Sequence, residues 1–131
     1  MEITCLGHAC FRIKGSDATI VTDPYNESVG YTLGMPTADI VTVSHSHGDH
    51  SYVQGVSGSP QVVEGPGEFQ IAGVRFTGIS TFHDDEGGAK RGQNTVYVIE
   101  IDGLKVCHLG DLGHIPTAQQ IEQLNGVDVL M

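Results

Sequence analysis

The stretch VTVSHSHGDHSY, residues 41–52, crowds His45, His47, Asp49 and His50 together directly after a run of β-branched residues. Imidazole nitrogens and carboxylate oxygens are the donor set suited to zinc, manganese or iron. Four such groups packed this closely compete for protons and space unless a cation draws them together. A pH-sensing histidine cluster is the competing reading, but it leaves the aspartate between the histidines unexplained. His45 and His47, two apart, share one face of an extended chain. Gly48 permits a tight bend that returns Asp49 and His50 toward the same point.

A catalytic metal site gathers donors from several elements, and two later positions qualify. His83 follows VRFTGIST and opens the long polar segment 83–94; Asp111 follows LKVCHLG within HLGDLGH. Both stand at the ends of strand-like runs, where side chains from separate strands can meet on one rim. Two other histidines have supporting roles open to them. His8, in LGHAC, is either a group near the metals or a hydrogen-bonded residue at a hairpin bend. His114 lies close enough to Asp111 to support a ligand or touch substrate at the rim. His108, among apolar neighbours, reads as core packing or as a hydrogen-bond partner of a ligand. Asp23-Pro24 is an ordinary turn or a similar supporting contact. Glu64, Glu68 and the run Asp84-Asp85-Glu86 read as solvated loop charges, and Gly65-Pro66-Gly67 as a turn.

The elements that must position these groups are short β-like runs punctuated by glycine. EITCLG, ACFRIKG and ATIVTD form an N-terminal series that includes a hairpin, and ADIVTVS is more continuously apolar, as a strand covered on both faces would be. QVVE, EFQIAG, VRFTGIST, NTVYVIEI and LKVCHLG supply further strands. Thr117 caps a helix over AQQIEQLN that closes at Gly126, and a short helix is expected from Asp49 through SYVQ. The last run, VDVLM, is strand-like and ends at Met131 with no covering element after it.

With 131 residues the chain is expected to hold one domain, 1–131, and at 39% apolar residues it has material for a core. No apolar run is long enough for a membrane span, and MEITCLGHAC lacks the pattern of a secretory signal. Cys5, Cys10 and Cys107 form no CxxC pair and read as small buried apolar residues, so a reducing, cytoplasmic setting is expected. Sixteen acidic residues against six basic ones, a formal charge of −10, oppose phosphate-backbone binding and disfavour a nucleic-acid substrate.

The order HxHxDH at 45–50, then His83, then Asp111 in a Gly-Asp context resembles the metallo-β-lactamase superfamily. LGHACFRI, IVTDP, GEFQIAGVRFTGIS and HLGDLGH are most similar to its branch of small metal-dependent hydrolases related to ascorbate-phosphate lactonase. The resemblance implies an αββα sandwich of the α/β (α+β) class, of which this sequence supplies the β-rich N-terminal part, with the C-terminal part missing. It also implies that His45, His47 and His83 bind one metal, that Asp49 and His50 bind a second, and that Asp111 bridges them. Asp49 would orient or deprotonate the attacking water as well. Family members carry one further histidine, placed beyond the point where this sequence stops.

The implied activity is hydrolysis by a metal-activated water, with one or two Zn2+ ions (Mn2+ or Fe2+ in their place) and a small-molecule lactone, ester or phosphoester as substrate. No GxSxG or GxxxxGK[ST] motif offers another chemistry. The alternative is a truncated, inactive domain that binds metal or assembles with a partner. A sandwich lacking its second half would expose apolar surface, so a homo-oligomer or a complementary C-terminal chain is expected.

Overall fold

The computed structural model describes residues 1–131. Ten strands form two five-stranded sheets. The first contains β1 (Glu2–Gly7), β2 (Cys10–Lys14), β3 (Thr19–Thr22), β4 (Ile40–Val43) and β5 (Gln61–Glu64), side by side in chain order. The second contains β6 (Gly67–Ile71), β7 (Val74–Phe82), β8 (Gln93–Ile101), β9 (Leu104–His108) and β10 (Val129–Leu130), also neighbours in order. Both sheets are mixed. β1–β2–β3 run antiparallel and β3–β4–β5 parallel; β6 through β9 alternate antiparallel, and β10 joins β9 in parallel.

Alternation along the strands explains the layering. Ile20 and Ile40 face the second sheet and meet Val74, Phe76, Tyr97, Ile99 and Val106 in the central core. Their neighbours Val21 and Val41 face outward, where Tyr25 and Val56 from the connecting segments cover them. β4, Ile-Val-Thr-Val, is buried along its whole length, as a strand covered on both faces is. On the outer face of the second sheet, Ile79, Val96, Val98 and Cys107 pack beneath Leu109, Leu112, Leu124 and Val127.

The only α-helix is α1 (Ala118–Gln123). Thr117 caps it in a capping box with Gln120, and the helix ends before the expected Leu124 and Asn125, which lie in the closing turn. The helix expected from Asp49 does not form. Residues 48–50 make a turn held by the His50 N–H on the His47 carbonyl (2.9 Å), and a 3-10 turn follows at Val53–Gly55. That tight turn keeps Asp49 and His50 beside the end of β4, whereas a helix would carry them away. No helix is long and apolar enough to cross a membrane.

Two sequence expectations about buried residues change. Cys10 and Cys107 are buried, but Cys5 is exposed because β1 is the outermost strand of its sheet, at the margin of the sandwich. Asp84 is not a solvated loop charge. Its carboxylate is buried and accepts the backbone N–H groups of Glu86, Gly88, Lys90 and Arg91, which folds the segment after His83 around it. Those bonds, that of Arg91 foremost, hold its pKa well below the usual carboxylate range.

Tyr97 ties the sheets together beside the site. Fully buried in β8, it donates its hydroxyl to the carbonyl of Val43 at the end of β4 (3.0 Å). Tyr97→Phe should lower unfolding stability by about 1 kcal/mol, the net worth of one such bond; an unshifted urea midpoint would refute this. Burial pushes the Cys10 and Cys107 thiols up to about 12 and about 11. Iodoacetamide at about pH 8 should therefore label Cys5 alone in the folded chain and all three cysteines in denaturant, as read by mass spectrometry. Labelling of Cys10 or Cys107 in the folded chain would contradict that burial.

Candidate metal centre

Strand direction brings the site together. β3 and β4 are parallel, so Asp23, just past β3, lies next to Ser44 and His45, just past β4. β7 and β9 are both antiparallel to β8, which lies between them, and so run the same way, which puts His83 and Asp111 beyond carboxyl ends on one side of the sheet. β1 runs parallel in direction to β3, and His8 follows it. Each candidate group thus lies beyond the carboxyl end of a strand, on one rim.

On that rim the donors form two trios. The ligand atoms of His45, His47 and His83 lie within 4.8 Å of one another, as do those of His8, Asp49 and His50. Asp111 stands between them: its Oδ2 is 3.0 Å from His83 Nε2, 3.1 Å from His50 Nε2 and 3.7 Å from His45 Nε2. His45 and His47 leave β4 before they meet, since the strand ends at Val43. The bends after it, not strand alternation, aim them.

Beneath the donors lies Asp23, fully buried. One carboxylate oxygen accepts the Ser44 N–H (2.8 Å); the other accepts the Ser44 hydroxyl and contacts His50 Nδ1 at 2.8 Å. The Ser44 hydroxyl has one proton and gives it to Asp23, so His45 Nδ1, 2.8 Å away, must donate to Ser44 Oγ. His50 Nδ1–H likewise donates to Asp23. In its neutral form each ring therefore presents the Nε2 lone pair to the rim, the tautomer a metal ligand needs.

His45 Nε2 is buried and has no hydrogen-bond partner. A buried nitrogen without a partner is costly in any protein, and here it points at His47, His83 and Asp111. The donor set and this orphaned atom fit a divalent cation. Burial, then His50, draws the His45 pKa down to about 4 against the pull of Asp23 and Asp111, so the ring is neutral near pH 7. Burial opposes charge on His50 as well, but the bond to Asp23 and the charges of Asp23, Asp111 and Asp49 outweigh it, and its pKa rises. Burial pushes Asp49 up, yet His50, its own backbone N–H and His8 outweigh that and hold its pKa low.

Over residues 2–131 the chain matches the family described as "beta-lactamase superfamily domain". The chain belongs to the metallo-β-lactamase superfamily. It is 34% identical to a "UPF0173 metal-dependent hydrolase" of Methanoculleus marisnigri, with all of this chain and 67% of that protein covered. Another protein of that name, from Methanospirillum hungatei, is 29% identical, with 100% of this chain and 68% of that protein covered. Among solved structures, a protein of Thermotoga maritima assigned as a Zn-dependent hydrolase of the same superfamily is 43% identical, with a TM-score of 0.79. The match covers 98% of this chain and 58% of that one, so the chain spans less than two thirds of its length.

Within this superfamily scaffold, further groups hold the donors in place without a local motif to mark them. Asn94, buried at the start of β8, accepts the Asp111 N–H (3.0 Å) and donates to the Leu109 carbonyl (3.0 Å), which fixes the loop carrying Asp111. Its one sequence signal is an amide ahead of the run Val96–Ile99. Gly110 lets that loop approach β4, because a Cβ there would stand 2.5 Å from the Ser44 Cβ. His114 stays outside the donor cluster: it accepts the Phe82 N–H at 3.2 Å, and its Nδ1 contacts the Ile115 carbonyl at 2.9 Å. It braces the end of β7 next to His83. His108 is buried and donates to the Ala9 carbonyl (2.9 Å).

Two recesses flank the donors. One of about 720 Å³ is lined by His83, Lys90, Arg91 and Asp111 among others; one of about 370 Å³ is lined by His45, His47, Glu64 and Arg91 among others. Replacing Asp23 by Asn puts an NH2 group or a single weaker acceptor against Ser44 and His50, and so unsettles both ring orientations. Asp23→Asn should weaken Zn2+ binding about 10- to 100-fold, measured by competition with a chromophoric chelator. An unchanged affinity would show that the ring orientations do not depend on Asp23.

Proposed function

We propose that this chain carries the metal centre of a hydrolase that attacks its substrate with a metal-activated water. The observation that supports this reading most is the pair of donor trios joined by Asp111 around the partnerless Nε2 of His45. His45, His47 and His83 would hold one cation, Asp49 and His50 a second, and Asp111 both. Zinc suits these nitrogen and oxygen donors, and manganese or iron would accept the same set. Such ions, when bound, bring the pKa of a water toward 7 and polarise a carbonyl or phosphoryl oxygen.

The chain's own residues supply orientation and proton handling. Asp23 holds His50, and through Ser44 it holds His45, so neither ring can turn its lone pair away. Asp49, kept ionised by His50 and His8 and part-exposed, would orient the attacking water and take its proton. Arg91 borders both recesses and is among only six basic residues in the chain. Its guanidinium favours a substrate with an anionic substituent, which a phosphoester or the carboxylate of a lactone acid would provide. A small-molecule substrate fits recesses of this size.

After loading with Zn2+ or Mn2+ and desalting, the chain should retain at least one cation by elemental analysis. Screening against lactones, carboxyl esters and phosphoesters should then reveal turnover that the paired change His45→Ala, His47→Ala abolishes together with the metal. Retention of less than one cation, or activity surviving the double change, would refute the proposal. Metal retained without turnover of any of the three classes would favour a binding role.

A further inference from the structure

We propose that His8, from the turn between β1 and β2, is a direct ligand of the second cation, alongside Asp49, His50 and the shared Asp111. This rests on the metal-centre reading above and adds a donor to it. His8 Nε2 lies 3.1 Å from Asp49 Oδ2 and 3.1 Å from His50 Nε2, and Asp111 Oδ2 lies 3.1 Å from the same His50 atom. Donors sharing one tetrahedral zinc stand about 3.3 Å apart, given metal–donor bonds of about 2.0–2.2 Å. His50 donates its Nδ1–H to Asp23, so in the neutral ring the Nε2 lone pair faces His8. Two imidazole nitrogens that meet at this distance need a proton or a cation between them, and two carboxylates converge on the same point.

The backbone around His8 is shaped to present it. His8 has φ +51°, in the left-handed region that non-glycine residues enter only at a cost. Gly7 before it has φ +112°, and a Cβ there would stand 3.1 Å from the Tyr25 hydroxyl oxygen. β1 pairs irregularly between Cys5 and Gly7, so the tip is bulged. Buried side chains clamp both flanks: Tyr25 donates its hydroxyl to the Leu6 carbonyl (2.6 Å), and His108 donates to the Ala9 carbonyl (2.9 Å). Tyr25 reaches the tip from beyond β3, and His108 from the end of β9 in the other sheet. A positive φ at the first loop residue is what the two-residue hairpin between paired Gly7 and Cys10 uses in any case; closing a hairpin does not call for an Nε2 set between two candidate ligands.

Tyr25 and His108 are positioning residues in this arrangement. They act on the metal through the carbonyls of Leu6 and Ala9 and hold no donor atom at the centre.

The test is Zn2+ titration of the unaltered chain and of His8→Ala, with stoichiometry and affinities from calorimetry, beside long-range 1H–15N spectra of the unaltered chain. The unaltered chain should bind two cations, and the His8 Nε2 resonance should take on its metal-bound shift as the second equivalent enters. His8→Ala should keep the first affinity and lose at least tenfold in the second. The spectrum reads His8 without mutation, so it decides the matter even if the variant folds poorly. Two cations bound with unchanged affinities by His8→Ala, or a His8 Nε2 resonance that stays put, would overturn His8 as a ligand and leave the His45–His47–His83 site standing. An unaltered chain that binds no cation would overturn both the His8 assignment and the metal-centre reading.

Discussion

The site depends on one buried carboxylate. Asp23 is fully removed from solvent and accepts three donors, the Ser44 N–H, the Ser44 hydroxyl and His50 Nδ1–H. A carboxylate in that position is tolerable only while its acceptor capacity is used. Satisfying it determines where the protons sit on His45 and His50, and so which nitrogens face the rim. It also ties the end of β3 to the end of β4, so the same bonds that stabilise the fold's interior set the electronic state of the donors. The residue is left-handed in backbone conformation (φ +40°), a local cost that these bonds offset.

Around this anchor, the sandwich supplies position and leaves the chemistry to the rim. Parallel pairing of β3 with β4 and the shared direction of β7 and β9 deliver side chains from both sheets to one end, with no donor inside a strand. Cross-sheet bonds then keep the two rims in register. Tyr97 reaches the Val43 carbonyl, the Thr95 N–H reaches the Ser44 carbonyl (2.8 Å), and His108 reaches the Ala9 carbonyl. Each of these contacts falls within a few residues of a donor, where a small shift would matter most to ligand geometry.

Much of this was legible in the sequence because the signals were local. HSHGDH is compact, His83 and Asp111 each follow a strand-like run, and the strand runs themselves alternate or stay apolar as their burial demands. What local pattern does not carry is pairing across long sequence distances. Asp84 looks like one more charge in an acidic loop until four backbone N–H groups are found wrapped around its carboxylate. Asn94 looks like a strand residue until it is seen holding Asp111. Cys5 shares its residue type with two buried cysteines, and only its strand's outermost place in the sheet exposes it. The helix expected from Asp49 failed because a turn closing on His47 satisfies the same backbone groups in fewer residues.

By itself the sequence determined the donor types, their order along the chain and the strand-forming runs that precede them, since residue chemistry and local hydrophobic pattern are properties of neighbouring residues. Only the tertiary structure decided that the donors meet as two trios about Asp111, that Asp23 chooses their tautomers, and that His8 joins Asp49 and His50. Those outcomes depend on strand direction and on contacts between residues up to 99 positions apart, such as His108 with Ala9. Chain topology alone brings such residues within bonding distance.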